Sequence, residues 1–184
     1  MKRAVVYVAA LFSLSLLLVS NAVAGDREDQ LVLQASLGNL DGVKALLDQG
    51  VDINAVNFGQ GTALVTAIWL GKTEVAKFLI ARGADINVVD KCSGSYTPLG
   101  MAARIGNVEV VRLLLSKGAD LSKGQIVVNG MPRTPLMIAN DALAKGFPSG
   151  FKPGTLEQVY TPLTAEERPR YEEVVRLLKA AGAK

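Results

Sequence analysis

Apolar positions in the middle of the chain recur at helical spacing. Val108, Val111, Leu114 and Leu115 fall on one side of a helix, which predicts an amphipathic segment with a single buried face. Gly118 stops it, as a residue in the left-handed conformation does at a helix C-terminus. Upstream, Thr97-Pro98-Leu99 predicts the start of a shorter helix: the threonine hydroxyl caps the free N–H groups, and proline fits the first helical position. Ala102 and Ala103 carry little bulk, so the second helix can approach the first closely there. The unit is helix, turn, helix and extended connection, and it cannot bury its apolar face alone.

The unit recurs. Gly38-Asn-Leu-Asp-Gly-Val-Lys-Ala-Leu-Leu-Asp-Gln-Gly50 realigns with Gly71-Lys-Thr-Glu-Val-Ala-Lys-Phe-Leu-Ile-Ala-Arg-Gly83 after 33 residues, and with Gly106-Asn-Val-Glu-Val-Val-Arg-Leu-Leu-Leu-Ser-Lys-Gly118 after a further 35. Each copy closes on a similar phrase: Val51-Asp52-Ile53-Asn54, Ala84-Asp85-Ile86-Asn87, Ala119-Asp120-Leu121. The copies open on Thr62-Ala63-Leu64, Thr97-Pro98-Leu99 and Thr134-Pro135-Leu136. Together these phased motifs resemble the ankyrin repeat, whose consensus runs Thr-Pro-Leu-His, Ala-Ala, Gly-His, Val-Val with Leu-Leu-Leu, and Gly-Ala-Asp-x-Asn. The resemblance covers about residues 28 to 140 and resumes at the C-terminus. It implies an all-α repeat solenoid of about four ankyrin helix-turn-helix repeats with short hairpin-like connections, at about 28–57, 58–90, 91–123 and 124–184. One departure is that the consensus histidine is Val65, Gly100 and Met137 here. The family's buried threonine-to-histidine hydrogen bond is therefore expected to be missing, while threonine capping survives.

The outer faces of the terminal repeats are expected to be polar. Asp26, Arg27, Glu28 and Asp29 lead into the first helix, and Glu172, Glu173, Arg176 and Lys179 sit on the last. Both ends therefore read as capped, giving a complete stack. The fourth repeat is irregular: 48 residues separate Thr134 from Gly182, where 21 separate Thr97 from Gly118. We expect an insertion at about 143–168, an ordered loop rather than a third helix, because Phe147-Pro-Ser-Gly-Phe-Lys-Pro-Gly154 is rich in turn residues. A competing parse starts a fifth repeat at Thr161-Pro162-Leu163, but Glu166 and Glu167 then stand where the small pair belongs and Pro169 follows. The loop is either functional or a cover for the end of the stack, with Phe147, Phe151 and Tyr160 as its apolar contacts.

The N-terminus breaks the helical pattern. Lys2 and Arg3 precede an apolar run from Ala4 to Val19, and Ala22 and Ala24 follow. This is the layout of a secretory signal peptide, residues 1–24, cut after Ala24, which leaves 25–184 as the repeat domain. A membrane anchor is the alternative, but the run falls short of the roughly 20 residues needed to span hydrocarbon. Bacterial export to the periplasm is expected, with full secretion second and no membrane attachment after cleavage.

Composition places the chain in the ordinary globular range, with 49% hydrophobic and 20% charged residues. The formal charge of +3 includes Lys2 and Arg3; without them 18 basic residues face 17 acidic, so nothing favours a nucleic-acid partner. Cys92 is the only cysteine, which excludes an intramolecular disulfide and leaves a redox or bridging role or none. No histidine occurs, which removes the usual general base and zinc ligand. No metal, cofactor or catalytic residue is expected. An enzyme built on the carboxylates Asp141, Glu157, Glu166 and Glu167 lacks any acid/base pairing or ligand spacing in support.

The resemblance instead implies a binding protein, monomeric alone, that meets another protein with its hairpin tips and the concave face of its first helices. Position by position, the tips comprise Asn57, Phe58 and Gln60; Lys91, Ser93 and Tyr96; and Met131 and Arg133. The pair before each glycine is Ser36-Leu37, Trp69-Leu70 and Arg104-Ile105, with Asp141-Ala142 in the fourth repeat. Trp69, Leu70 and Ile105 are too apolar for a plain solvated face. Trp69 alternatively packs against the neighbouring helix of its own solenoid. The expected role is an envelope interaction module, such as an immunity or inhibitor protein against a periplasm-acting toxin or enzyme. The alternative is an accessory or stress-protection factor for another periplasmic protein.

Overall fold

The computed structural model describes residues 27–57, 61–89, 95–126, 132–151 and 158–183; residues 1–24, expected as a signal peptide, and Cys92 lie outside them. Eight helices run in pairs through these residues. They are α1 (residues 27–37) and α2 (Leu40–Asp48), α3 (Ala63–Trp69) and α4 (Thr73–Ala81), α5 (Pro98–Ile105) and α6 (Val108–Ser116), then α7 (Pro135–Lys145) and α8 (Arg168–Ala180). Within a pair the helices pack on each other. Across pairs α3, α5 and α7 stand side by side, and α2, α4, α6 and α8 form a second row behind. This is an all-α repeat solenoid, with one continuous apolar core from Leu31 in α1 to Leu178 in α8.

Why the helices start where they do follows from the threonines. Thr62, Thr97 and Thr134 each accept a hydrogen bond from the N–H three residues on, at Val65 (3.3 Å), Gly100 (3.1 Å) and Met137 (3.2 Å). Capping therefore proceeds without the consensus histidine. Gly100 has its own reason: a Cβ there would lie 1.9 Å from the carbonyl oxygen of Gly124. That backbone is tied down on both sides, since Thr97 N–H donates to the Gly124 carbonyl (2.9 Å) and Gly124 N–H donates to that of Arg133 (2.7 Å).

The closing phrases carry the register between repeats. Asp52, Asp85 and Asp120 each accept from the N–H two residues on, forming a tight turn. Asn54 then accepts the N–H of Asp85 in the following repeat (2.8 Å), and Asn87 accepts that of Asp120 (2.9 Å). Short strands join the repeats: β1 (Val56–Asn57) pairs with β2 (Gly61–Thr62), and β3 (Gln125–Ile126) with β4 (Pro132–Arg133).

Two expectations need correction. The buried face of α6 is Val110, Val111 and Leu114, whereas Val108 and Leu115 are only partly buried. Helix α6 packs on α4, α5 and α8 together, so its buried arc turns toward Val110. Glu173 does not sit on a solvated outer face: it is half-buried, paired with Arg112 of α6 and bonded by both Nε (2.6 Å) and a terminal nitrogen (2.7 Å) of Arg176.

Between α7 and α8 lies a third antiparallel pair, β5 (Phe147–Phe151) and β6 (Gln158–Thr161), with an irregular register between Pro148 and Gly150. Thr161 ends β6 and starts no helix. The next helical signal is Thr164, whose hydroxyl accepts from Glu167 N–H (3.2 Å) while the Glu167 carboxylate accepts from Thr164 N–H (3.0 Å). This reciprocal cap leads into α8. Tyr171 of α8 then seats the helix: its hydroxyl donates to the Arg104 carbonyl (3.0 Å), and its ring fills the space above Gly106, where a Cβ would come within 2.7 Å of it. Gly106, at φ 68°, is the left-handed cap of α5, so glycine answers both conformation and contact there.

Candidate protein-binding face

The first helices of the two internal repeats, α3 and α5, bury almost everything until their last turn. In α3 every residue from Ala63 to Ile68 is buried, because the helix is packed against α4 and α5. The chain emerges at the two positions before the glycine. Aligned by repeat, Ser36, Trp69, Arg104 and Asp141 hold the first of these positions, and Leu37, Leu70, Ile105 and Ala142 the second. Leu37 is 63% exposed, Trp69 52% and Leu70 46%, so three large apolar side chains project into solvent from consecutive repeats. Toward the C-terminal end the apolar character fades: Ile105 is half-buried against the core and Ala142 is buried.

At the same height the polar positions are organised by their own partners. The Arg104 guanidinium lies over the Tyr96 ring, 5.2 Å from its centre. Tyr96, expected as a tip contact, is only 7% exposed and belongs to the core. Its backbone bridges to Gln125 in the next connection, which draws the ring in under Arg104. Arg133 and Asp141, expected as separate contacts, form one ion pair; Arg133 also reaches the Gln125 side chain (3.4 Å), and Lys145 approaches Asp141 (3.7 Å). Tyr160 stands on β6 opposite Pro148, partly exposed, and Phe147 and Phe151 stand on β5 opposite Thr161 and Gln158. Phe58, Gln60, Lys91, Ser93, Met131 and Glu157 lie outside the described residues.

Three exposed apolar residues were not singled out from the sequence: Leu33, Val56 and Met137. Leu33 aligns with Thr66, Met101 and Ile138, and Met137 with Val65 and Gly100, all of them buried. The exposure of Leu33 and Met137 thus comes from their place at the edges of the described stack, where a neighbouring repeat would otherwise cover them, whereas Val56 stands on β1 in the connection between the first two repeats. The exposure of Trp69 and Leu70, in an internal repeat, has no such origin.

Among the described residues the carboxylates held in their charged form serve the scaffold. Glu167 is held below the usual carboxylate range by the N–H and hydroxyl of Thr164, Asp120 by Ser122, and Glu173 by Arg176 and Arg112. All three are caps or ion pairs of the scaffold. Among the described residues no three potential metal ligands lie together, and no helix is long and apolar enough to cross a membrane. A groove of about 370 Å³ opens beside the face, lined by Gly71, Thr73, Ile105, Asn107, Glu109 and Arg170 among others. Its polar groups are largely engaged: Asn107 bonds Thr73 (2.8 Å) and Glu109 pairs with Lys77 (3.5 Å).

Two overlapping stretches, residues 31–80 and 64–115, match the family model for ankyrin repeats (many copies). No curated protein matches the chain. Residues 31–115 are therefore ankyrin repeats, and the all-α solenoid they build is a scaffold for binding other proteins.

Proposed function

We propose that this protein is exported to the periplasm and binds a second protein with the last turns of its first helices. Its role is that of an inhibitor or immunity protein, occupying a toxin or enzyme that acts in the cell envelope. The observation that carries the binding reading is the run of Leu37, Trp69 and Leu70, exposed on consecutive repeats, with Trp69 and Leu70 in an internal repeat where the edge of the stack does not account for it. Tryptophan is enriched among the residues that dominate interface energetics. The scaffold positions of the perturbed carboxylates favour binding over catalysis. Export is supported by the basic, apolar and small-residue sequence from Lys2 to Ala24.

The test is affinity purification of envelope proteins on the mature chain, followed by titration of the recovered partner against wild type and Trp69→Ala. The variant is expected to bind more weakly by about 2 kcal/mol, with an unchanged helical spectrum. A stoichiometric complex in which the partner's activity is blocked supports inhibition. A lowered melting temperature with unaltered affinity would make Trp69 part of the scaffold and remove the basis for this face. N-terminal sequencing of the protein from periplasmic extract is expected to begin at Gly25, whereas an uncut, membrane-bound chain sinks the export reading.

A further inference from the structure

The arginines of the stack differ in their partners. Arg82, Arg112, Arg133 and Arg176 each pair with a carboxylate of this chain: Asp48, Glu173, Asp141 and Glu173 in turn. Arg104 has no carboxylate within ion-pair distance among the described residues, although it holds the position next to Trp69 in the repeat alignment. It is nonetheless held in place. Tyr96 lies beneath it, buried and bridged to Gln125, and the Arg104 carbonyl is fixed by the Tyr171 hydroxyl. A guanidinium stacked on a ring keeps its edge N–H donors free for a planar acceptor, and it has already lost much of the side-chain freedom that pairing would cost. In the repeat alignment Trp69 and Leu70 hold the equivalent positions on α3, which packs against α5, and Ile105 follows Arg104 on its own helix. On the other side, the Asp141 carboxylate is already occupied by Arg133 and Lys145.

We infer that the partner segment seated on this face presents a carboxylate to Arg104, flanked by a large apolar side chain that packs on Trp69 and Leu70. This inference rests on the reading of the face as the docking surface. An arginine held on a ring without a carboxylate partner among the described residues, on a face with exposed apolar side chains, matches one aspartate or glutamate in a protein partner. A nucleic acid would call for a row of cations along its phosphates, and Arg133, the next arginine across the face, is taken by Asp141.

The probe is a library of short random peptides displayed on phage, panned against the full mature chain as wild type, Trp69→Ala, Arg104→Gln and Arg104→Lys. Helical spectra and melting curves verify folding of each. Wild type is expected to enrich peptides with Asp or Glu beside Leu, Phe or Trp. Arg104→Gln is expected to lose the acidic preference and to bind the selected peptide at least about tenfold more weakly, while Arg104→Lys retains the preference in part. Raising the salt concentration should weaken wild type more than Arg104→Gln. Peptides that depend on Trp69 but show no acidic preference, or that bind Arg104→Gln unchanged, overturn the inference and leave the docking face standing. No enrichment, or enrichment insensitive to Trp69→Ala, overturns both.

Discussion

Gly100 shows how a single position departs from its family's consensus for a local reason. The backbone of Gly124 crosses so close above α5 that one added methyl group meets a carbonyl oxygen, and that carbonyl is already accepting from Thr97 N–H. Because the obstacle is a fixed backbone and not a flexible side chain, Gly100→Ala is expected to cost roughly 3 kcal/mol, read as a lower midpoint in denaturant unfolding. An unchanged midpoint would mean that the connection moves aside freely. Tyr171 gives a second single-residue test. Its phenol is buried and its O–H donates to a carbonyl, so its pKa lies well above the ordinary 10.0, with burial as the main cause. The folded protein keeps a proton that the unfolded chain releases. Stability from this source is therefore complete below pH 10.0 and declines as the pH rises beyond it. Tyr171→Phe should lower stability at neutral pH and flatten the alkaline decline in a series of melts; an alkaline limb identical to wild type would show that Tyr171 does not set it.

The helix boundaries were legible because each rests on a local device: Thr97 with Pro98 at one end of α5, Gly106 at the other, and Asn107 at the start of α6. What lay hidden was set by neighbours distant in sequence. The α6 spacing implied burial of Val108 and Leu115, but α8, more than fifty residues further along the chain, covers α6 from a direction that its own periodicity does not encode. Leu114 satisfies both descriptions. Leu114→Ala should cost about 2 to 5 kcal/mol in denaturant unfolding through the cavity it leaves. A loss below about 1 kcal/mol would mean that α4, α5 and α8 close over the space. The same limit applies to the binding face. Trp69 and Leu70 were legible as apolar residues at a position that repeats expose, whereas the burial of Tyr96 depends on its bridge to Gln125 and the Arg133–Asp141 pair on the geometry of β4 against α7. Turn-rich composition marked 147–154 as an ordered loop, but the pairing of Phe147 with Thr161 joins residues that no local pattern links.

Across the whole molecule, each repeat is held mainly by the one before and the one after, so opening is expected to proceed from repeat to repeat rather than uniformly. The asparagines that close the first two repeats make this directly observable. The Asp85 amide is bonded to Asn54 and the Asp120 amide to Asn87, each across a repeat boundary. In hydrogen exchange these two protons act as reporters lodged in one repeat that sense whether the preceding repeat is in place. Asn54→Ala should speed exchange at Asp85 while leaving Asp120 slow, and Asn87→Ala should do the reverse. Equal acceleration at both sites in either variant would mean that the stack opens as one body, leaving a bound partner no single repeat to clamp.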